Sequence, residues 1–103
     1  MQLPPAATRQ SEITAAVEAA VKNFSRWVVR IRYDIQQDWS GEWGIFFKVV
    51  VADNADIEEL PNLSFHLRLR LGEKLDWQEL GVIPYFNFRR QSEQERMLEP
   101  AWT

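Results

Sequence analysis

The chain contains no cysteine among its 103 residues, and this absence removes several kinds of chemistry together. Disulfides, zinc ribbons, iron–sulfur sites and thiolate nucleophiles all require cysteine. A reducing compartment suits such a chain, so we expect a cytoplasmic protein. Glycine is also scarce, and the four glycines form no phosphate-binding loop, so the usual nucleotide-binding motifs are missing.

Catalytic combinations of residues are missing as well. His66 is the single histidine and lies between Phe65 and Leu67, with no second histidine to complete a metal site. Glu58 and Glu59 are adjacent carboxylates, but an acidic stretch after a hairpin is usually just solvated. No serine occurs in a nucleophile-elbow context. We therefore expect no enzyme, no catalytic residue, no metal ligand and no cofactor.

Long apolar runs are absent too. No stretch approaches the roughly 20 apolar residues of a membrane-spanning helix, and residues 1–10 lack the features of a signal peptide, so no membrane partner is expected. These first residues are polar, small and proline-containing, which predicts a flexible N-terminal arm. Residues 11–103 are expected to form a single domain, because 46% hydrophobic residues are enough for one core.

The clearest positive pattern is a β-hairpin between residues 27 and 52. Odd-numbered residues from Trp27 to Ile35 are apolar or aromatic and alternate with mainly polar ones, which is typical of a strand with one buried face. Ser40 and Gly41 supply a turn, and Trp39 beside it is expected to fold over the end of the sheet. The strand after the turn is apolar on nearly both sides, so we expect it to be central or covered.

Helical patterns lie on either side of this hairpin. An apolar stripe beginning at Ile13 predicts a helix over about residues 12–25. Residues 60–80 have two interpretations, because apolar residues alternate strictly over 63–71 and also recur at helical spacing. The abundance of Leu, Arg, Lys and Glu favours a helix with Gly72 as its weak point, whereas the strand alternative gives a four-stranded sheet and a short later helix.

The last part of the chain completes the fold prediction. Pro84 opens a short strand over residues 85–89, and Ser92 with Glu95 forms a capping box for a short helix that Pro100 ends. The order helix, hairpin, helix, strand predicts an α+β fold. We expect a two-layer sandwich with a mainly antiparallel sheet of three or four strands and helices on one face. A return of the last strand beside the first is one topology that fits.

Period-two geometry places basic and aromatic side chains together on the sheet face opposite the helices. Such a face is compatible with a solvated surface of cross-strand ion pairs, a protein-binding surface or a platform for single-stranded nucleic acid. Exposed apolar side chains favour protein, and the net charge of −3 argues against nucleic acid. We expect a non-enzymatic interaction domain with a protein partner or a homodimer, nucleic acid being the alternative. The expected interaction residues are Arg30, Arg32, Phe46, Lys48, Tyr85, Asn87, Arg89 and Trp102.

Four segments together resemble small uncharacterised bacterial proteins of about this size. They are Asp38 to Gly41, Phe46 to Val50, Pro84 to Arg89 and Glu99 to Trp102. Proteins of this kind can be encoded beside small helical partners in mobile or defence-type gene pairs. The resemblance implies a protein partner and transfers no catalytic residue. For Trp102 the sequence leaves two roles open, docking on its own domain or hooking a neighbour.

Overall fold

A computed structural model of the chain describes residues 2–54 and 57–103. Four α-helices and a three-stranded sheet account for most of these residues, and the α+β class is confirmed. Short 3-10 turns occur at Pro5–Thr8, Ile57–Glu59 and Pro100–Trp102. The elements in chain order are α1 (Gln10–Asn23), β1 (Val28–Gln37), β2 (Trp43–Val51), α2 (Leu60–Lys74), α3 (Trp77–Leu80), β3 (Ile83–Arg90) and α4 (Gln91–Met97).

The sheet has the strand order β1-β2-β3, so β2 is central as expected. β1 and β2 form the antiparallel hairpin, whereas β3 pairs with β2 in parallel. The sheet is therefore mixed, and the last strand does not return beside the first. A parallel neighbour requires a long crossover connection, and the segment containing α2 and α3 supplies it.

One hydrophobic cluster joins α1, α2 and the sheet. The ring of Phe47 lies at its centre, is fully buried, and packs 4.9 Å from the ring of Phe86 between centroids. Buried leucines of α2 recur every four residues and belong to the same cluster, which confirms the helical interpretation of the segment; the strand alternative is wrong. The principal buried members are Ile13, Val17 and Ala20 of α1, Ile31, Phe47 and Val49 of the sheet, and Leu63, Leu67 and Leu71 of α2.

The expected alternation along β1 holds from Ile31 onward but shifts at the start of the strand. Val28 pairs with Val51 and Arg30 pairs with Val50, so the register contains a bulge between Val28 and Arg30. Val28 consequently joins the core at 2% exposure. Because side chains alternate beyond the bulge, the even-numbered arginines remain on the face opposite Ile31.

Both ends of the chain pack on the domain more closely than the sequence indicates. We expected a flexible arm over residues 1–10; Met1 lies outside the described residues, but Ala6 is fully buried in the core. At the other end, α4 begins at Gln91 with no side-chain capping bond from its own chain neighbours. Instead, the carboxylate of Asp53 accepts a hydrogen bond from the backbone N–H of Ser92 at 3.0 Å. This long-range cap replaces the predicted capping box.

Two glycine-to-alanine substitutions should have opposite effects on stability. A Cβ at Gly44 would lie 2.9 Å from Cε2 of Tyr85 and 3.0 Å from Cε2 of Phe46, so we expect Gly44→Ala to lower the free energy of unfolding by about 1–2 kcal/mol. A Cβ at Gly72 meets only the Trp77 Nε1 at 3.8 Å, and Gly72→Ala should raise it by about 0.5–1 kcal/mol. Urea denaturation measures the free energy of unfolding of both variants. If the two substitutions changed it in the same direction, the packing described around one of the two glycines would be contradicted.

Candidate protein-interaction surface

The sheet face opposite Phe47 is called the open face here, and the strand register arranges its side chains in rows. The row nearest the chain ends contains Arg30, Val50 and Arg89. The middle row contains Arg32, Lys48 and Asn87, and the third contains Asp34, Phe46 and Tyr85. The register thus brings together all the expected interaction residues that belong to strands.

The first row is covered by the C-terminal segment of the chain itself. Trp102 is 7% exposed, and the guanidinium of Arg89 lies 4.2 Å from its ring centroid. Arg30 donates from Nε to the backbone carbonyl of Trp102 at 3.0 Å. Val50 is fully buried. Of the two roles left open by the sequence, Trp102 therefore docks on its own domain, and Arg30 and Arg89 hold it there.

Gln94 links β3 to the last residues of the chain by hydrogen bonds. It is 3% exposed, its Oε1 accepts a hydrogen bond from Arg89 at 2.9 Å, and its Nε2 donates to the carbonyl of Glu99 at 2.9 Å. The carboxylate of Glu99 also lies 3.5 Å from Arg89. A buried amide with both ends satisfied fixes the geometry of its neighbours, so the last residues have a defined position.

The middle row combines a neutralised cation with an unpaired one. Lys48 forms an ion pair with Asp34 across the hairpin, and its side chain is 13% exposed. Arg32 and Asn87 are exposed on either side of it. Within residues 2–54 and 57–103, Arg32 has neither an ion pair nor a hydrogen bond from its side chain. Arg32 is consequently free to bind an anionic or carbonyl group of another molecule.

The third row ends in a group of aromatic rings that we call the aromatic end, consisting of Trp39, Phe46 and Tyr85. Phe46 and Tyr85 stack at 4.8 Å between centroids with 15° between their planes, over the space left by the missing side chain of Gly44. Trp39 contacts Tyr85 at 5.6 Å but stays 84% exposed. We expected Trp39 to fold over the end of the sheet. It contacts Tyr85 on one side only, and the rest of its ring is exposed to solvent.

A single carboxylate ties the hairpin turn to β3 beneath this aromatic end. Asp38 accepts hydrogen bonds from the Ser40 hydroxyl at 2.6 Å, the Ser40 N–H at 2.9 Å and the Glu42 N–H at 3.1 Å. Its second oxygen accepts from the Tyr85 hydroxyl at 2.8 Å. The hydrogen bonds from Ser40 and Tyr85 lower the pKa of Asp38, and the same bond to Asp38 raises the pKa of Tyr85. Tyr85 is thus fixed by the stacking of its ring on Phe46 and by the hydrogen bond from its hydroxyl to Asp38.

Other potential sites offer less. A cavity of about 200 Å³ lies between the segment that follows α1 and the first turns of α2, with Trp27, Leu63 and the exposed His66 in its lining. In the described part of the chain, no cluster of three or more His, Asp or Glu side chains could hold a metal ion. None of the helices described is long and apolar enough to cross a membrane.

The chain was compared with models of known protein families, with curated proteins and with solved structures. None of the three comparisons found a match.

The stability that Asp38 contributes should depend on pH. Its pKa is lowered in the folded protein relative to the ordinary 3.8, so the contribution is present above that value and is lost as the pH falls through the folded pKa. We expect Asp38→Asn to reduce the free energy of unfolding at neutral pH and to differ less from wild type in acid. Denaturant titrations at several pH values measure the difference. Tyr85→Phe, which removes one donor, should lose less, and a pH-independent difference would contradict this role.

Removing the Trp102 side chain should uncover the first row. Trp102→Ala removes a buried ring that the guanidinium of Arg89 contacts, so we expect a loss of about 3 kcal/mol in the free energy of unfolding. Hydrogen exchange by mass spectrometry should show faster exchange in α4 and the last residues, while the aromatic end is unchanged. Exchange that stays slow in α4 would show that Trp102 does not hold the C-terminal segment.

Proposed function

We propose that the protein is a non-enzymatic, cytoplasmic interaction domain that binds another protein through the aromatic end and the adjoining Arg32. The observation that carries the proposal is the 84% exposure of Trp39, an indole held against Tyr85 but covered by nothing else in the described part of the chain. Tryptophan, tyrosine and arginine dominate the energetics of protein interfaces. Here Arg32 and Tyr85 lie in two adjacent rows of the open face, and Trp39 in the hairpin turn contacts Tyr85.

The rigidity of the aromatic end supports the same proposal. Tyr85 is stacked on Phe46 and hydrogen-bonded to Asp38, so its ring loses little conformational freedom when a partner covers it. Aromatic anchors that are already fixed bind with a smaller entropic cost than flexible side chains of equal area. Asn87 and Arg32 add directional donors at the edge of the rings, where a partner's carbonyl or carboxylate groups would accept them.

The charges of the open face favour protein over nucleic acid. Nucleic-acid affinity comes largely from several neutralised phosphates, and each needs an available cation. Arg30 and Arg89 are occupied by Trp102, and Lys48 is paired with Asp34. Arg32 is therefore the one strand cation on this face without a partner among the residues described. Binding of single-stranded nucleic acid remains the second candidate, supported only by the rings.

The most strongly hydrogen-bonded carboxylate near the site also supports a non-enzymatic role. Asp38 accepts four hydrogen bonds in total from Ser40, Glu42 and Tyr85, and its pKa is lowered. A general base works best when its pKa lies near the working pH and its lone pairs can reach a substrate proton. Asp38 has neither property, and its contacts indicate that it stabilises the turn.

Affinity capture with matched variants tests the proposal. We expect Trp39→Ala and Arg32→Glu to reduce capture of a specific cellular protein about tenfold or more, as for loss of a central interface residue. Leu3→Ala removes a side chain that is 62% exposed elsewhere, and Lys22→Glu reverses an exposed charge on α1. These two controls should capture the same protein as wild type, as quantified by mass spectrometry, with melting temperatures close to wild type throughout.

Two results would count against this function. One is an identical set of captured proteins for the open-face variants and both controls. The other is tight, salt-sensitive binding of single-stranded oligonucleotides in fluorescence anisotropy, abolished by Trp39→Ala, because that would assign the aromatic end to nucleic acid.

A further inference from the structure

The outer edge of β1 carries backbone groups that the fold leaves unpaired. In the strand order β1-β2-β3, β1 has a neighbour on one side only. In the described part of the chain, no backbone hydrogen bond joins residues 31–37 to any segment other than β2. Backbone N–H and C=O groups along such an edge match those of another strand. The chemistry of this edge therefore calls for an extended segment as its partner.

The hairpin turn determines which residues of β1 face outward. The N–H of Asp38 donates to the carbonyl of Glu42 at 2.7 Å, so these two residues form a hydrogen-bonded pair. Hydrogen-bonded and non-hydrogen-bonded pairs alternate along an antiparallel ladder, and the register is regular over residues 30–37. Even-numbered residues of β1 consequently bond to β2. The odd-numbered residues direct both backbone groups to the outer edge, and they are Ile31, Tyr33, Ile35 and Gln37.

This edge has little protection against pairing with another strand. Proline, bulges and charges are the usual features that keep an edge strand from pairing. β3, the other edge strand, contains Pro84, whereas the bulge of β1 lies before Arg30 and no proline follows it in the strand. The central charges of β1 belong to Arg32 and Asp34 and have opposite signs. A strand that opposes these two charges with their complements would be accepted at this edge.

The charges select β1 of a second copy as that strand. When two copies of β1 pair antiparallel around a two-fold axis at Tyr33, Arg32 of each copy lies opposite Asp34 of the other. An axis at Arg32 or at Asp34 would place that charge opposite itself, and an axis at Ile31 would oppose two arginines. An axis at Ile35 would pair a shorter stretch. The strand is thus complementary to itself in one central register.

We propose that the protein forms a dimer in which the outer edges of β1 pair around this axis, so that one sheet continues through both copies. Each outward-facing residue then exchanges both backbone hydrogen bonds with its opposite residue. Ile35 is half-buried at the edge and gains cover from Ile31 of the second copy. Asp34 keeps its ion pair with Lys48 through Oδ2, and its Oδ1 accepts from Arg32 of the second copy.

The pairing goes beyond the proposed function and shares one residue with it. Arg32 belongs to both, because a guanidinium has enough N–H donors to bind two groups. Trp39 lies in the hairpin turn beyond the end of β1 and belongs to the proposed function alone. Asp34 belongs to the pairing alone. Substitutions of Trp39 and Asp34 therefore distinguish the two proposals.

Sedimentation equilibrium of the full chain from micromolar to millimolar concentration measures the association. The mass should rise from 12.2 kDa toward twice that value and no further, because a two-fold axis closes the pairing. Trp39→Ala should leave the concentration of half-association unchanged, and so should Arg70→Glu, a charge reversal at an exposed position of α2. A chain that stays at 12.2 kDa, or an association that needs Trp39, would overturn the proposal.

A charge exchange tests the register. Arg32→Asp opposes two carboxylates across the axis, and Asp34→Arg opposes two guanidinium groups. Each should raise the concentration of half-association about tenfold, because the axis repeats every lost pair. Both changes in one chain exchange the charges and should restore association, with circular dichroism to confirm that each variant is folded. A double variant that associates no more tightly than either single one would show that these charges do not face each other, and would overturn the register.

Amide hydrogen exchange followed by NMR locates the contact on the strand edge. The N–H groups of Tyr33 and Ile35 face solvent in the single chain and are hydrogen-bonded in the dimer. Their exchange should slow about tenfold when the concentration is raised until nine-tenths of the chains are paired. The N–H groups of Arg32 and Asp34 bond to β2 in either state and should change less. Tyr33 exchange that stays fast once the mass has doubled would place the contact elsewhere and overturn the proposal.

Discussion

The burial of β2 on both of its faces is the constraint on which the rest of the structure depends. Phe47 and Val49 need cover from the helices on one side, and Val50 needs cover on the other. The chain meets the second need with its own C-terminal segment, through Trp102. That segment reaches only the first row of the open face, and the aromatic end is consequently left uncovered.

Much of the fold could be predicted because it follows from local periodicity. Period-two alternation defined β1, and apolar residues on both sides of β2 indicated a central strand. The parallel pairing of β3 could not be predicted, because the choice of neighbour depends on the path of a crossover and not on any local pattern. The cap from Asp53 to Ser92 was missed for the same reason, since 39 residues separate the two groups.

The candidate surface, like the fold, could be predicted only where it follows from local periodicity. The alternation of side chains along a strand is enough to predict that Arg30, Arg32 and Arg89 share one face. It does not predict which of these arginines is free, because that depends on where Trp102 docks. Strict alternation of apolar residues over 63–71 suggests a strand. In the helix that forms, the same alternation leaves Phe65 and Leu69 exposed on the side opposite the buried leucines. A segment that fits two periods carries two apolar sides.

The central claim is that the C-terminal segment covers one end of the open face and leaves the aromatic end exposed. Fluorine NMR of protein labelled with fluorotryptophan, in the presence of a soluble paramagnetic agent, tests it in one measurement on all five tryptophans. The account predicts strong broadening for Trp39 and protection for Trp102. Equal broadening of these two resonances would contradict it, because the first row would then be open and the surface would have to be reassigned.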